Sequence, residues 1–322
     1  MHKETFLLDR FSFRFLFLIL LLFSYKINNS HNQPYFDRLS HQKSNVENII
    51  NKYTHRNHLK ILTWNIYMLP FIGVMNNNSS RAESIGETLL YKDYDIIVFE
   101  EAFYSNSRKL IKKELGNIYP YMYGPTNPEK NYFETSSGVW VLSKLPLKLI
   151  KSIIYNKSKS FDAIANKGAV MLEGNFNDKL FQLVATHLQA DEYNIIREQQ
   201  MEQLSKELIN PFKIKEIPQI ICGDFNVNAK DTTEYKIMVN KLNVNNDWHF
   251  SVTNISFDEI NNKLAATDKP APKTLDYVFI GNDFIKIKIN RALKKFMGID
   301  SDGKQIDLSD HYALEADIVF YD

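Results

Sequence analysis

Short apolar runs recur along this chain, and several stop abruptly at a carboxylate, an amide or a histidine. Runs of this length, bounded by turn-forming residues, predict buried β-strands. Eight stand out: residues 59–64 (LKILTW), 95–99 (DIIVF), 138–142 (GVWVL), 169–172 (AVML), 180–186 (LFQLVAT), 219–222 (QIIC), 275–280 (LDYVFI) and 313–319 (ALEADIV). Between some of them the apolar period lengthens to that of a helix, over residues 81–91, 107–115, 193–208 and 232–242. The third is the clearest, because Met201, Leu204 and Leu208 share one face at i, i+3 and i+7. Helices are interspersed, yet several strands follow one another directly. That mixture predicts an α/β architecture of two packed sheets flanked by helices, not a simple strand–helix alternation. Residues 253–273, with Asn261, Asn262, Pro270 and Pro272, read as a long surface loop.

Residues 1–30 have a different texture. Lys3, Arg10 and Arg14 precede the apolar run 15–23 (FLFLILLLF), and Ser24, Tyr25 and Lys26 close it. A basic segment followed by a short apolar one is the layout of a secretory signal. The run is about half of the ~20 residues a membrane-spanning helix needs. No small-residue cleavage site follows it, so an uncleaved anchor is the other reading. Residues 31–58 are polar and aperiodic, rich in Asn and His, and read as a leader or linker with a short helix near 46–50. Residues 59–322 then form the catalytic domain.

Composition narrows the function classes. With 322 residues, 44% of them hydrophobic, the chain can bury a sizeable core. Lys and Arg total 39 against 38 Asp and Glu, so no global basic field marks a nucleic-acid binder. The single cysteine, Cys222, excludes an intramolecular disulfide and a cysteine-based zinc site. It sits inside a strand run and reads as a small buried hydrophobe.

The candidate chemistry lies at the strand ends. Asn65 follows the first run, Glu100 and Glu101 the second, and His187 follows LVAT. Asp224 and Asn226 follow QIIC-Gly, Asp276 lies within LDYVFI, and Asp310 and His311 precede the last run. Each alone is also what a cap or a turn would supply. Together they form a set of carboxylates, imidazoles and carboxamides able to converge on one pocket. Oxygen donors without thiolates suit a hard cation such as Mg²⁺. Carboxylate, metal and imidazole together suit phosphoryl chemistry.

The ordered motifs TWN (63–65), FEEAF (99–103), THLQA (186–190), CGDFN (222–226), LDYVF (275–279) and SDHY (309–312) resemble the endonuclease/exonuclease/phosphatase superfamily, the DNase I-like fold. WNIYMLP (64–70), ANKGAV (165–170) and THLQADEYN (186–194) are similar to the secreted bacterial and neutral sphingomyelinases within it. The resemblance implies a four-layered α/β sandwich and Mg²⁺-dependent hydrolysis of membrane sphingomyelin to ceramide and phosphocholine. It implies that Glu101 holds the metal, with Asn65 beside it. Strand alternation agrees in allowing only one of Glu100 and Glu101 to face the pocket. The same resemblance makes His311 the general base. Asp310 would orient that imidazole or support a metal. His187 and Asn226 would donate to phosphoryl oxygens, Asp224 would place water or assist the leaving oxygen, and Asp276 would orient His187 or its surroundings. Lys167 would approach the phosphate, or else be a solvated lysine in a turn. A nuclease, an inositol-phosphate or phosphoinositide phosphatase, and a catalytically dead binding protein are the competing readings. Lys167 and Arg197 alone do not make the dense basic pocket such a phosphatase requires.

A lipid substrate requires an interfacial contact. Residues 293–308 (LKKFMGIDSDGKQIDL) are mostly polar and offer Phe296 and Met297 for insertion, with Lys294 and Lys295 for headgroups. Residues 68–75 (MLPFIGVM) are the other candidate, with Phe71 and Ile72 at their centre.

Overall fold

The apolar run after residue 58 pairs where its alternation allows both faces to be covered. In the computed structural model, residues 57–69, 77–127, 135–249, 251–282, 287–299 and 303–321 are described. The signal and leader readings therefore fall outside the described residues, apart from Asn57 and His58. Strand β1 (His58–Asn65) lies parallel to β2 (Ile96–Glu100) and antiparallel to β13 (Ala313–Phe320). With β3 (Tyr121–Tyr123), β4 (Trp140–Ser143) and β10 (Ile287–Lys294), they form a six-stranded sheet in the order β10-β13-β1-β2-β4-β3. The second sheet has five strands in sequence order. They are β5 (Leu147–Ile154), β6 (Gly168–Phe176), β7 (Lys179–His187), β8 (Gln219–Asp224) and β9 (Asp276–Ile280). Only β7 and β8 run parallel in it.

Side-chain alternation sorts the core into layers. Leu59 and Ile61 of β1, and Ile96 and Val98 of β2, face the second sheet in one apolar cluster with Met171, Leu183 and Ile221. Leu62, Trp64, Ile97 and Phe99 point the other way, onto α1 (Asn78–Leu90) and α2 (Ser105–Leu115). The far face of the second sheet is covered by α3 (Asn194–Leu204) and α4 (Thr232–Leu242), whose Met201, Leu204, Tyr235 and Met238 are buried. A π-helical turn, Ser205–Ile209, continues α3 and keeps Leu208 on the same buried face. Helices, sheet, sheet, helices is the four-layered arrangement expected from the sequence.

The differences lie at the edges. Strands β5 and β10 escaped the apolar-run reading because each is an edge strand of its sheet, half exposed and bearing lysines. Residues 253–273 contain no helix or strand, as expected, but they are not simply a surface loop. Ser256, Asp258, Glu259 and Asn262 are buried. Within residues 293–308, two of the interfacial candidates are engaged by the fold. Phe296 packs on Trp64 with ring centroids 5.1 Å apart, and Lys295 pairs with Asp307 at 3.2 Å. The segment folds into a hairpin of β11 (Met297–Ile299) and β12 (Gln305–Asp307). Phe71 and Ile72 lie outside the described residues.

Candidate active site

Strand register alone aligns the site. Asn65 stands opposite Glu100 across β1 and β2, His187 opposite Asp224 across β7 and β8, and Asp224 opposite Asp276 across β8 and β9. The strands bring these residues to one end of the sandwich. Two glycines permit the close backbone approach this needs. A Cβ on Gly223 would lie 1.9 Å from the Thr186 carbonyl oxygen, and one on Gly168 would lie 1.9 Å from that of Ile153. Those glycines precede Asp224 and follow Lys167, so both motifs owe their glycine to packing. Asp224 Oδ1 accepts from the Asn226 backbone N–H at 2.9 Å, and Asn226 turns with φ 53°. The GDFN motif is thus a turn, and that turn aims its carboxamide.

On one side a carboxylate–imidazole pair forms. His311 Nδ1 and Asp276 Oδ2 are 2.8 Å apart, and His311 Nε2 lies 3.7 Å from Asp224 Oδ2. Of the two alternatives read from the sequence, His187 or its surroundings, the second holds: Asp276 is bonded to His311 and not to His187. Nor does Asp310 orient the imidazole; its Oδ1 lies 3.2 Å from Ser309 Oγ. Burial pulls the His311 imidazole towards neutrality, but Asp276 and Asp224 outweigh it and raise its pKa well above the ordinary value. Phe257 meets the ring edge-on at a centroid distance of 5.0 Å.

Opposite them stands a cluster of donors. Lys167 Nζ and Asn226 Nδ2 approach His187 Nε2 at 3.0 and 3.1 Å. Both are donors, so the neutral imidazole accepts there. Burial and the charge of Lys167 hold the His187 pKa well below its usual value, which keeps it neutral. Lys167 is nearly fully buried and also contacts Asp162 Oδ1 at 2.8 Å and the Leu188 carbonyl at 3.0 Å. It is no solvated turn lysine. Arg197 is unavailable to a phosphate, because its Nε and Nη2 hold Glu234 at 2.6 and 3.0 Å.

The third component is an excess of carboxylates. Strand β2 ends at Glu100, and Glu101 leaves it with φ 53°. Alternation therefore does not apply across the pair, and both carboxylates turn towards the site. Glu100 is fully buried, and Thr63 Oγ1 donates to its Oε1 at 2.7 Å. Burial raises Glu100 well above the usual carboxylate range, and Asp276 and Asp224 raise it further. Burial and then Asp310 push Glu101 up to about 7. Burial raises Asp224 to about 6 and also raises Asp310. Oε2 of Glu101 and Oδ1 of Asp276 are buried with no hydrogen-bond partner among the described residues. Crowded, desolvated carboxylates with orphaned oxygens form a site that a divalent cation would stabilise. Asn65 lies against this cluster, with Nδ2 donating to Asp224 Oδ2 at 3.0 Å and a side-chain bond to Glu101. Its Oδ1 accepts from the Tyr67 N–H at 3.1 Å and keeps a second lone pair. Asp224, Asp276 and His311 also lie close enough together to ligate one ion. The 2.8 Å contact between His311 Nδ1 and Asp276 Oδ2 is equally the geometry of an imidazole held by a carboxylate.

The model of the Endonuclease/Exonuclease/phosphatase family matches residues 62–311. The chain belongs to this family. Among its relatives, Sphingomyelinase C 2 of Leptospira interrogans is 30% identical over 263 residues, which cover 74% of this chain and 42% of that protein. The match thus spans less than half the length of that relative. A phospholipase C of Staphylococcus aureus is 31% identical over 250 residues, covering 70% of this chain and 74% of its own length. A solved variant of beta toxin from Staphylococcus aureus, with bound magnesium ions, superposes with a TM-score of 0.65 at 25% identity. That superposition covers 82% of this chain and 99% of that one. The fold is the DNase I-like α/β fold of this family, with two mixed sheets and flanking helices.

Several supporting residues of the family site were not singled out from the sequence. Ser309 Oγ donates to the Asn65 carbonyl at 2.5 Å, joining two motifs 244 residues apart. Arg81 Nη1 donates to the carbonyls of Ile66 and Leu308 at 2.9 and 2.8 Å and joins the same two segments. Ser256 Oγ accepts from the backbone N–H groups of Leu275 and Asp276. Of these only Ser309 carried a signal, as the first letter of SDHY.

Proposed function

We propose that this chain is a Mg²⁺-dependent phosphodiesterase that hydrolyses sphingomyelin to ceramide and phosphocholine. The observation that carries the reading is the His311–Asp276 pair facing the donor cluster Lys167, His187 and Asn226, with the orphaned Glu101 carboxylate beside it. His311 takes the proton of the attacking water through Nε2, while Asp276 holds Nδ1 and stabilises the imidazolium that forms. Lys167 and Asn226 donate to the phosphoryl oxygens as charge develops on them. His187 accepts from both at Nε2 and so holds these two donors in place. Asp224, raised towards neutral pH, places the water or protonates the leaving oxygen. Glu101 and Asn65 would hold Mg²⁺, with Asp310 in support. The ion would supply charge neutralisation at phosphorus and at the departing alkoxide. A cation beside the carboxylates also offsets the charges that now hold His311 protonated, and so favours the neutral form a base requires.

The choice of sphingomyelin rests on the name of the Leptospira interrogans relative and on the motifs shared with sphingomyelinases. Export is proposed on the basic and apolar layout of residues 1–30. The test is phosphocholine release from sphingomyelin vesicles with Mg²⁺ and with EDTA, beside phosphatidylcholine vesicles and plasmid DNA. Metal-dependent release from sphingomyelin alone is expected. Cleavage of phosphatidylcholine instead would discard the sphingomyelin assignment, and cleavage of DNA alone would discard the lipid one.

A further inference from the structure

A soluble-looking face beside the pocket carries an unusual group of side chains. The 3-10 turn Ser160–Ile164 exposes Phe161 to 86%, as much as any large apolar side chain among the described residues. Ile164 is 37% exposed, and Ala163, Lys157 and Lys159 lie in the same stretch of surface. Looseness does not account for this exposure, because the segment is pinned from several sides. The Lys159 N–H donates to Gln189 Oε1 at 2.8 Å, and Gln200 Nε2 donates to the Lys157 carbonyl at 2.7 Å. Asp162 Oδ2 accepts from the Ala190 N–H at 2.7 Å, while its Oδ1 holds Lys167. The next residue in the chain after Phe161 therefore touches the lysine that touches His187.

We propose that Phe161 and Ile164, flanked by Lys157 and Lys159, form an interfacial anchor that seats the pocket mouth on a phospholipid bilayer. The proposal rests on the lipid-hydrolase reading above. Charge complementarity favours a lipid surface over a protein groove. The only acid of the turn, Asp162, is consumed by Lys167 and Ala190, so the turn presents Phe161 and Ile164 with Ser160 and the two preceding lysines, and no free carboxylate. An aromatic ring beside lysines is the composition that settles at the boundary between headgroups and acyl chains. Tyr193 and Ile195 add exposed apolar surface on the segment that follows Ala190, beyond the exposed acids Asp191 and Glu192. Phe296, the interfacial candidate of residues 293–308, is packed on Trp64.

The experiment uses the full chain and two variants. Phe161→Trp reports position directly, because Trp64, Trp140 and Trp248 are all buried and supply a fixed background. The emission that this substitution adds should shift to the blue with sphingomyelin–phosphatidylcholine vesicles and be quenched when the phosphatidylcholine is brominated. The double variant F161S/I164S should hydrolyse sphingomyelin in vesicles about tenfold more slowly or worse, given the transfer energy of two apolar side chains. It should cleave a soluble nitrophenyl ester of phosphocholine at the wild-type rate. Unquenched emission from the F161W variant, whether or not the protein sediments with the vesicles, overturns the proposal. So does undiminished vesicle hydrolysis by the double variant. If the wild type leaves sphingomyelin intact, the substrate reading falls, and the quenching of F161W still decides the anchor.

Discussion

Asp276 is one hydrogen bond from His311, and that bond sets which imidazole nitrogen is free to act. Replacing Asp276 with Asn keeps the shape but offers an amide in place of the carboxylate, which neither selects the Nδ1–H tautomer nor balances the imidazolium. We expect kcat to fall by about two to four orders of magnitude, with KM little changed, as for tautomer errors in other histidine–carboxylate pairs. Circular dichroism should be unaltered. His311→Ala should abolish turnover and leave Mg²⁺ binding by calorimetry largely intact; a fully active variant would remove His311 from its role. Motif spelling led to most of these residues, but not to their partners. Glu100 shows why: its neighbour Glu101 turns into the left-handed region, so counting alternate positions along the strand gives the wrong exclusion.

The loop 253–273 is the element whose weight was least visible in sequence. It lacks periodicity, because its hydrogen bonds are divided between its own turns and other elements and follow no helix or strand ladder. Asn262 Nδ2 donates to the Ser309 carbonyl at 2.7 Å, and the Tyr312 N–H donates to the Ser256 carbonyl at 2.7 Å. The loop thus binds the strand carrying Asp276 to the segment carrying His311. Ser256→Ala would leave two buried backbone N–H groups without their acceptor, and each such orphan costs about 1–3 kcal/mol. We expect a urea midpoint lowered by an amount in that range and a fall in kcat, since Asp276 loses its anchored backbone. Unchanged stability would show that the loop does not brace the pair. Helices behaved differently. The window 232–242 was readable to its ends, because Asp231 caps it by accepting from the N–H groups of Thr233 and Glu234, a purely local device.

At the scale of the molecule, the site concentrates charge that the fold does not balance. Glu101 at about 7 and Asp224 at about 6 both sit above their unfolded values. A raised folded pKa contributes stability that is present below the unfolded value and lost as pH rises through the folded one. His187, held low, has the opposite sign, and its contribution is lost only as pH falls below its ordinary value near 6.5. Between pH 6.5 and 8 Glu101 and His311, whose raised pKa carries the same sign, therefore set the trend. Metal-free protein should melt at least ~5 °C lower at the upper end of that window, and Mg²⁺ should remove most of the difference. A melting temperature independent of both pH and Mg²⁺ would show that no cation belongs at Glu101. What the sequence determined by itself was local: strand cores, helix faces, the glycines of tight turns, and the polar residues at strand ends. These depend on spacings of two to four residues, which any chain segment carries with it. Only the tertiary structure decided that Asp276 serves His311 from 35 residues away, and that Asn65 reaches Asp224 across 159. Those pairings follow from sheet register and from the direction of each side chain between two packed sheets, and no local pattern encodes either.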